Sequence, residues 1–420
     1  MDLTDAVPPC GCVTRATAGP ADWGLVATRT ERPCDARDAA AALAGAASAG
    51  EPTWIVGSAT RLAACPPVPA SAVVIATAGL AGIVAYEPAD QTLTVGAGTR
   101  LEDVHPVLAE DGLELPGAHF GLADGTVGGM VATDLADARR GRAGALRDRI
   151  LGMTVAGPDG KVSKCGGRVV KNVAGYDLMR LHAGAHGAFG LVCEVTLRLS
   201  PRPEAHAPFD RVVDGAAQAA EAARRIAGEA ASLGLVAWTQ VAGTPARVTW
   251  VHEGDREWVE DGVRWSTAAY GPARADEAAD HQGPVEARLR LKALEHVCPE
   301  RTNVLVRGSL LPSRLPDLAR RLAGLALPQF GGHALTGAAF ARLDLSAPDG
   351  RATLGAVTRA IEECGGAWKI AGAWTPADGP AVPWGGVETP WALVGRLKDA
   401  FDPARVLGPA AYAARSGATA

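Results

Sequence analysis

Apolar and polar residues alternate most cleanly near residue 195. Cys193, Val195, Leu197 and Leu199 share one face there, and Glu194, Thr196 and Arg198 share the other. This period of two is the mark of a half-buried strand. Pro201 and Pro203 end it, because proline has no N–H to give to a ladder. Short apolar runs at 52–56 and 73–76 predict two more strands. Residues 83–86 and 92–95 flank Glu87-Pro88-Ala89-Asp90-Gln91 and predict a pair joined by a turn. Residues 151–156 and 161–163 predict a hairpin across Pro158-Asp159-Gly160. Helical spacing appears between these strands. Residues 35–50 read as an alanine-rich helix stopped by Gly50. Leu101, Val104 and Leu108 form one apolar stripe up to Gly112, with Thr99 and Glu102 as a capping-box pair. Leu178 and Leu181 share a face of a brief helix.

From Glu204 onward the texture changes. Helices are predicted at 216–234, 285–297, 312–325 and 352–364. Strands are predicted at 235–241, 247–252, 302–309, 338–345 and 367–374, with a polar loop at 276–282. Helices among antiparallel-compatible strands imply a second unit of α+β type.

Composition narrows the class. A chain of 420 residues suggests two or three domains, at about 150 residues each. With 48% hydrophobic residues it can bury a sizeable core, and a net charge of −5 argues against a general nucleic-acid binder. The opening residues show no secretory pattern. No apolar run approaches the ~18 residues of a membrane span. The eight cysteines are scattered, which fits reduced thiols in the cytoplasm. The spacing of Cys10, Cys12, Cys34 and Cys65 matches neither zinc nor ferredoxin patterns, so no metal site is expected.

Candidate chemistry sits where small residues follow strands. Gly57-Ser58-Ala59-Thr60-Arg61 comes directly after a predicted strand, a place where backbone N–H groups can turn toward a phosphate. Gly96-Ala97-Gly98 begins like a dinucleotide fingerprint, but Leu101 stands where its third glycine belongs, which removes the nicotinamide reading. Gly125, Thr126, Gly128, Gly129, Ala132 and Thr133 form a run of small residues. It suits either close approach to a ligand or a tight packing corner. Arg139, Arg140, Arg142, Arg147 and Arg149 make either a solvated face or a source of one guanidinium for a pyrophosphate. Residues 161–203 hold two further glycine corners, at Gly166-Gly167 and at His186-Gly187-Ala188-Phe189-Gly190.

Four stretches, taken in order, resemble the PCMH-type FAD-binding domain of the vanillyl-alcohol oxidase and p-cresol methylhydroxylase superfamily. They are GIVAYEPADQTLTVGAGTRLEDVHPVLAEDGLELP, DGTVGGMVATD, LRDRILGMTVAGPDGKV and GRVVKNVAGYDLMRLHAGAHGAFGLVCEVTL. Within it, the chain is most similar to the smaller FAD-binding subunit of bacterial glycolate oxidase. Trp384-Gly385-Gly386, Leu397-Lys398-Asp399-Ala400-Phe401-Asp402-Pro403 and Val406-Leu407-Gly408-Pro409 agree with the close of that subunit.

The resemblance implies an α+β fold: a two-subdomain FAD-binding domain at 25–203, then a smaller α+β cap domain at 204–410, with tails at 1–24 and 411–420. FAD would lie extended between the domains. Gly57, Ser58, Ala59, Thr60 and Arg61 would form the first pyrophosphate loop, with Ser58 and Ala59 departing from its glycine-rich pattern. Pro116, Thr126, Gly128, Gly129, Ala132 and Thr133 would form the second FAD stretch. Arg142 and Gly144 would make a basic turn beside the cofactor, and Val192 would follow the glycine corner that faces it. The first loop holds no His or Cys, so the FAD is expected to be noncovalent. Related catalytic subunits carry a histidine-rich metal site in the cap. Here one matching histidine, His333, remains and the later Glu-His-Gly is absent. Lys171, Tyr176 and His333 are the polar candidates for a catalytic role. The implied function is the FAD-binding subunit of a complex that oxidises a small 2-hydroxy acid. A larger catalytic subunit and an iron–sulfur subunit would be its partners, placing it in the cytoplasm at the inner face of the membrane. The alternatives are a self-sufficient FAD-linked alcohol oxidoreductase and a non-catalytic assembly subunit.

Overall fold

The computed structural model describes residues 27–59, 72–115, 125–134, 139–167, 177–271, 303–372, 384–386 and 391–408. The first half builds two sheets. Strands β1 (Ala27–Glu31), β2 (Thr53–Val56) and β3 (Ala72–Ala76) form a parallel sheet in the order β1-β3-β2. The helix Ala36–Ala49 packs on it. The Asp35 carboxylate accepts from the N–H groups of Arg37 and Asp38 at 2.7 and 2.8 Å, and Gly50 closes the helix at φ 64°. Its small inner face of Ala39, Ala40, Leu43 and Ala46 lets it lie close against Val73 and Ile75.

The second sheet uses β4 (Ile83–Glu87), β5 (Thr92–Gly96), β7 (Ile150–Ala156), β8 (Val162–Gly166) and β9 (Leu191–Arg198). The order is β4-β5-β9-β7-β8, all antiparallel. The short pair β6 (Leu113–Glu114) and β10 (Ser200–Pro201) flanks it. In the register Leu93 faces Leu197 and Val95 faces Val195. The alternation in β9 has the meaning read from the sequence, with Cys193, Val195, Leu197 and Leu199 all buried. The stripe Leu101, Val104 and Leu108 of the helix Leu101–Glu110 joins the same core. The expected capping box does not form. Arg100 is the N-cap and makes no side-chain cap bond, while Thr99 Oγ1 donates to Gly96 O at 2.7 Å and accepts from Gly82 N at 2.8 Å. Tying down the turn before the helix takes the hydroxyl that capping would use.

The second half builds one larger sheet from β11 (Ala205–Val213), β12 (Leu233–Val241), β13 (Ala246–Gly254), β14 (Asn303–Ser309), β15 (Gln329–His333), β16 (Ala338–Asp344), β17 (Ala367–Gly372) and β18 (Trp384–Gly385). It is antiparallel in the order β11-β13-β12-β15-β16-β14-β17-β18. The helices Ala216–Glu229, Leu315–Leu322 and Gly350–Glu363 share its core. Ala219, Ala220 and Ala223 are fully buried, and the space they leave is filled by Trp238 and Trp250.

Two ionic clusters join the halves. Arg139 donates to both oxygens of Glu114, at 3.0 and 3.2 Å, and its Nε lies 3.0 Å from Glu253 on β13; all three residues are buried. The second cluster belongs to residues 391–408, which turn back onto the first half. Leu407 bridges to Thr53 in parallel, and Thr53 N donates to Val406 O at 2.8 Å. Lys398, on the helix Trp391–Phe401, donates to Asp402 at 2.5 Å, Leu407 O at 2.6 Å and Ala188 O at 2.8 Å. Asp402 in turn accepts from the N–H groups of Val406 and Leu407, at 3.2 and 2.8 Å.

Candidate functional site

One cleft gathers the loop ends of the first half. Its empty volume, open mouth included, is ≈ 1080 Å³. Four regions make its walls. The first is β2 with Gly57, Ser58 and Ala59 after it. The second is residues 125–133, and the third is the corner from His182 to Gly190. The start of β9, at Leu191 and Val192, is the fourth, and Gly408 reaches in from the late segment.

Thr126 organises the second wall. It is the N-cap of the helix Val127–Thr133, and its Oγ1 accepts from Gly129 N at 3.1 Å. The backbone around it is stitched to the end of β5. Val127 N donates to Thr99 O, Gly128 N to Ala97 O and Leu101 N to Gly125 O. Close approach here needs glycine. A Cβ at Gly57 would lie 2.3 Å from Thr126 Oγ1, and one at Gly128 would lie 2.8 Å from Ala97 Cβ. Gly129 differs, since its Cβ would meet Thr126 Oγ1 at 3.2 Å and nothing else within 4 Å. Gly128 therefore serves packing, and Gly129 gives its volume to the cleft.

Among the described residues, no Asp, Glu, Lys or Arg lines the cleft. Its two titratable groups are His182 and His186. Burial pushes His182 down to about 4, so the imidazole is neutral at pH 7. Behind the wall, burial pushes the Cys193 thiol up to about 12, so it is not a nucleophile. Two lining residues that are not glycine hold left-handed backbone, Ala59 at φ 60° and His186 at φ 52°. Such outliers persist where surrounding contacts over-determine them, and they gather at ligand sites. Ser58 Oγ is buried and has no hydrogen-bond partner among the described residues.

The cleft brings together Gly57, Ser58, Ala59, Thr126, Gly128, Gly129, Ala132, Thr133 and Val192 from the expected site. Thr60, Arg61, Pro116, Lys171 and Tyr176 lie outside the described residues. Arg142 and Gly144 are not part of the lining. Arg142 turns to the second half, with Nε 3.7 Å from Glu253 and its guanidinium 5.6 Å from the Trp258 ring centroid. Gly144 ends the short helix Arg140–Ala143 at φ 79°. His333 is buried in β15, its ring 5.7 Å from that of Phe340, away from the cleft. No cluster of three metal-ligating side chains occurs among the described residues. Sequence reasoning missed Trp54, Thr77, Met130 and both histidines. The nearby Gly184 and Gly187 were the one local sequence signal for the last of these, His186.

The lining fits an extended dinucleotide. It offers a buried unpaired hydroxyl at Ser58, glycine backbone at 57 and 129, and apolar walls at Ile55, Val56 and Leu191 for a flat ring system. Comparison with known proteins agrees. Residues 29–166 match the family described as FAD binding domain. Glycolate oxidase subunit GlcE of Escherichia coli (strain K12) is 40% identical over 134 residues, covering 31% of this chain and 38% of that protein. D-2-hydroxyglutarate dehydrogenase of Xanthomonas citri pv. viticola is 36% identical over 118 residues, 28% of this chain and 25% of that one. The matched stretches thus span well under half of either relative. A solved structure of alkyldihydroxyacetonephosphate synthase superposes with a TM-score of 0.63 at 13% identity, covering 90% of this chain and 76% of that one. At that identity the likeness is one of fold.

Proposed function

Since residues 29–166 match the FAD binding domain family, we propose that the chain is the FAD-binding subunit of a complex that oxidises a 2-hydroxy acid such as glycolate to the 2-oxo acid. The observation that carries this reading is the 40% identity to GlcE over 134 residues. FAD, when bound, supplies the acceptor for a hydride. The chain's own part is to hold it. Ser58 Oγ and the backbone of Gly57 and Gly129 would hold its diphosphate, and Ile55, Val56 and Leu191 would exclude water from its ring system. Neutral His182 adds no charge beside it. FAD is held without a covalent link, so acid precipitation releases the yellow colour into the supernatant.

The chain acts with a larger catalytic subunit and an iron–sulfur subunit. Removing a hydride from a hydroxyl-bearing carbon needs a base for the proton and fixed charge for the developing alkoxide. The cleft's described lining holds no carboxylate, and His333 lies elsewhere. Among the described residues, no helix is long and apolar enough to cross a membrane. The test is glycolate-dependent dye reduction by the purified chain, then with the neighbouring-gene products added. Activity should require the partners. Full turnover by the isolated chain, unaffected by His333→Ala, would replace this reading with a self-sufficient oxidase.

A further inference from the structure

The fold buries two histidines whose pKa burial pushes down to about 4, and it treats them differently. His252 is held on both sides, with Nδ1 2.8 Å from Ser232 Oγ and Nε2 2.7 Å from Ser266 Oγ. His182 has no such arrangement. Among the described residues, no side chain or backbone group hydrogen-bonds to its ring. It ends the short helix Met179–His182 and is 6% exposed, and the surface it keeps lies on the cleft wall. Protein fixes the ring by packing alone. The Phe401 ring stands edge-on to it at 6.3 Å, and a Cβ at Gly190 would lie 3.7 Å from its Cε1. A buried polar group left unpaired costs stability, and an apolar side chain would fill the place beside Phe401 without that cost. The unpaired ring thus stands on the cleft at a position where packing does not ask for histidine.

We propose that His182 is a cofactor-binding residue of the cleft and hydrogen-bonds the uncharged polar edge of a heteroaromatic ring. A neutral imidazole carries one N–H and one lone-pair nitrogen, so it can give one hydrogen bond and take another. A phosphate at this place would favour the imidazolium, which burial opposes. An uncharged edge asks for no such change. FAD carries one at each end, on its adenine and on its isoalloxazine. Ile55 and Leu191 belong to the same lining, and apolar walls keep out the water that would compete for the bond. The inference rests on the FAD reading of the cleft, and it adds a side chain that recognises a ring where glycine backbone serves the diphosphate.

The experiment uses the full chain as wild type and His182→Phe, which keeps a ring and removes both polar atoms. Dissociation constants for FAD, ADP and FMN are measured by calorimetry. His182→Phe should weaken FAD by about tenfold. Loss on ADP alone of the two fragments assigns the adenine edge, and loss on FMN alone assigns the isoalloxazine edge. FAD binding within about twofold of wild type would overturn the proposal. So would equal loss on both fragments, the sign of a distorted wall, or loss on FAD with neither fragment affected. A second measurement needs no folded variant. In wild type with isotopically labelled histidine ring nitrogens, the His182 signals, identified by their loss in His182→Gln or His182→Phe, should move when FAD is added. Signals that stay in place at saturating FAD would overturn the proposal, and they decide it if circular dichroism shows His182→Phe unfolded. A fragment too weak for calorimetry is scored by whether it moves the same signals. A wild type that binds no FAD overturns the FAD reading and this inference together, whereas FAD binding indifferent to His182→Phe overturns the inference alone. Absence of glycolate oxidation with partners present would sink the function proposed above but leave these constants standing.

Discussion

Gly128 and Gly129 are neighbours with opposite duties, and their substitution should separate folding from binding. A side chain at Gly128 runs into Ala97, whose O would lie 2.9 Å from its Cβ and whose Cβ would lie 2.8 Å away. Gly128→Val should therefore cost about 1–3 kcal/mol of stability, the usual price of overpacking. A side chain at Gly129 meets the Thr126 hydroxyl and then the cleft. Gly129→Val should keep a near-normal urea midpoint and raise the FAD dissociation constant by about tenfold or more. Normal FAD affinity in Gly129→Val would remove residues 125–133 from the binding wall. The pair also shows what local sequence carries. The density of small residues marked this stretch as a place of close approach, but which glycine faces protein and which faces ligand depends on Ala97, some thirty positions earlier.

At the scale of elements, the buried histidines tie stability to pH. His252 on β13 is fully buried, with Nδ1 2.8 Å from Ser232 Oγ and Nε2 2.7 Å from Ser266 Oγ, and Trp250 Nε1 donates to the same Ser266 hydroxyl. Burial pushes its pKa down to about 4, as it does that of His182. The unfolded chain then binds more protons than the folded one between about pH 6.5 and about pH 4, so stability falls as pH drops through that window. Each histidine contributes up to about 3 kcal/mol of this loss. His182→Gln, followed by urea unfolding at several pH values, should flatten the profile between pH 6.5 and 4; an unchanged slope would show that His182 does not titrate there. The elements themselves were unevenly legible. Strand β9 and the helix Ala36–Ala49 stood out because alternation and caps are local. Strand β11 was hidden by Pro208, tolerated because β11 is an edge strand with one ladder to satisfy. Strand β15 was hidden by Gly331-Gly332, glycines that Trp238 demands: a Cβ at Gly331 would lie 2.3 Å from its carbonyl oxygen. The helix Arg256–Tyr270 was missed as well.

At the scale of the whole molecule, the site is legible only after folding, because its walls come from residues between 53 and 408 that meet through long-range pairing. The late segment shows this most directly. Lys398 and Asp402 are 2% and 0% exposed at the side chain, and burial lowers the Lys398 pKa although Asp402 opposes the shift. Breaking such a pair leaves an uncompensated buried charge, so Lys398→Met should cost about 3–5 kcal/mol by urea denaturation. The same change should speed FAD release, since Ala188 O and Leu407 O lose their shared donor beside Gly408. A variant with wild-type stability would show that the pair is not holding the segment.

The same closure sets an order of events during synthesis. Thr53 and Ile55 leave the ribosome early, yet the backbone partner of Thr53 is Val406, and Gly408 completes the cleft edge. A nascent chain that has made every residue matching the FAD binding domain family still lacks two of the four walls, the corner at 182–190 and the start of β9, and Gly408 as well. Cofactor capture must therefore wait until the chain is nearly finished, and a ribosome stalled before residue 398 should display a folded first sheet that does not retain flavin.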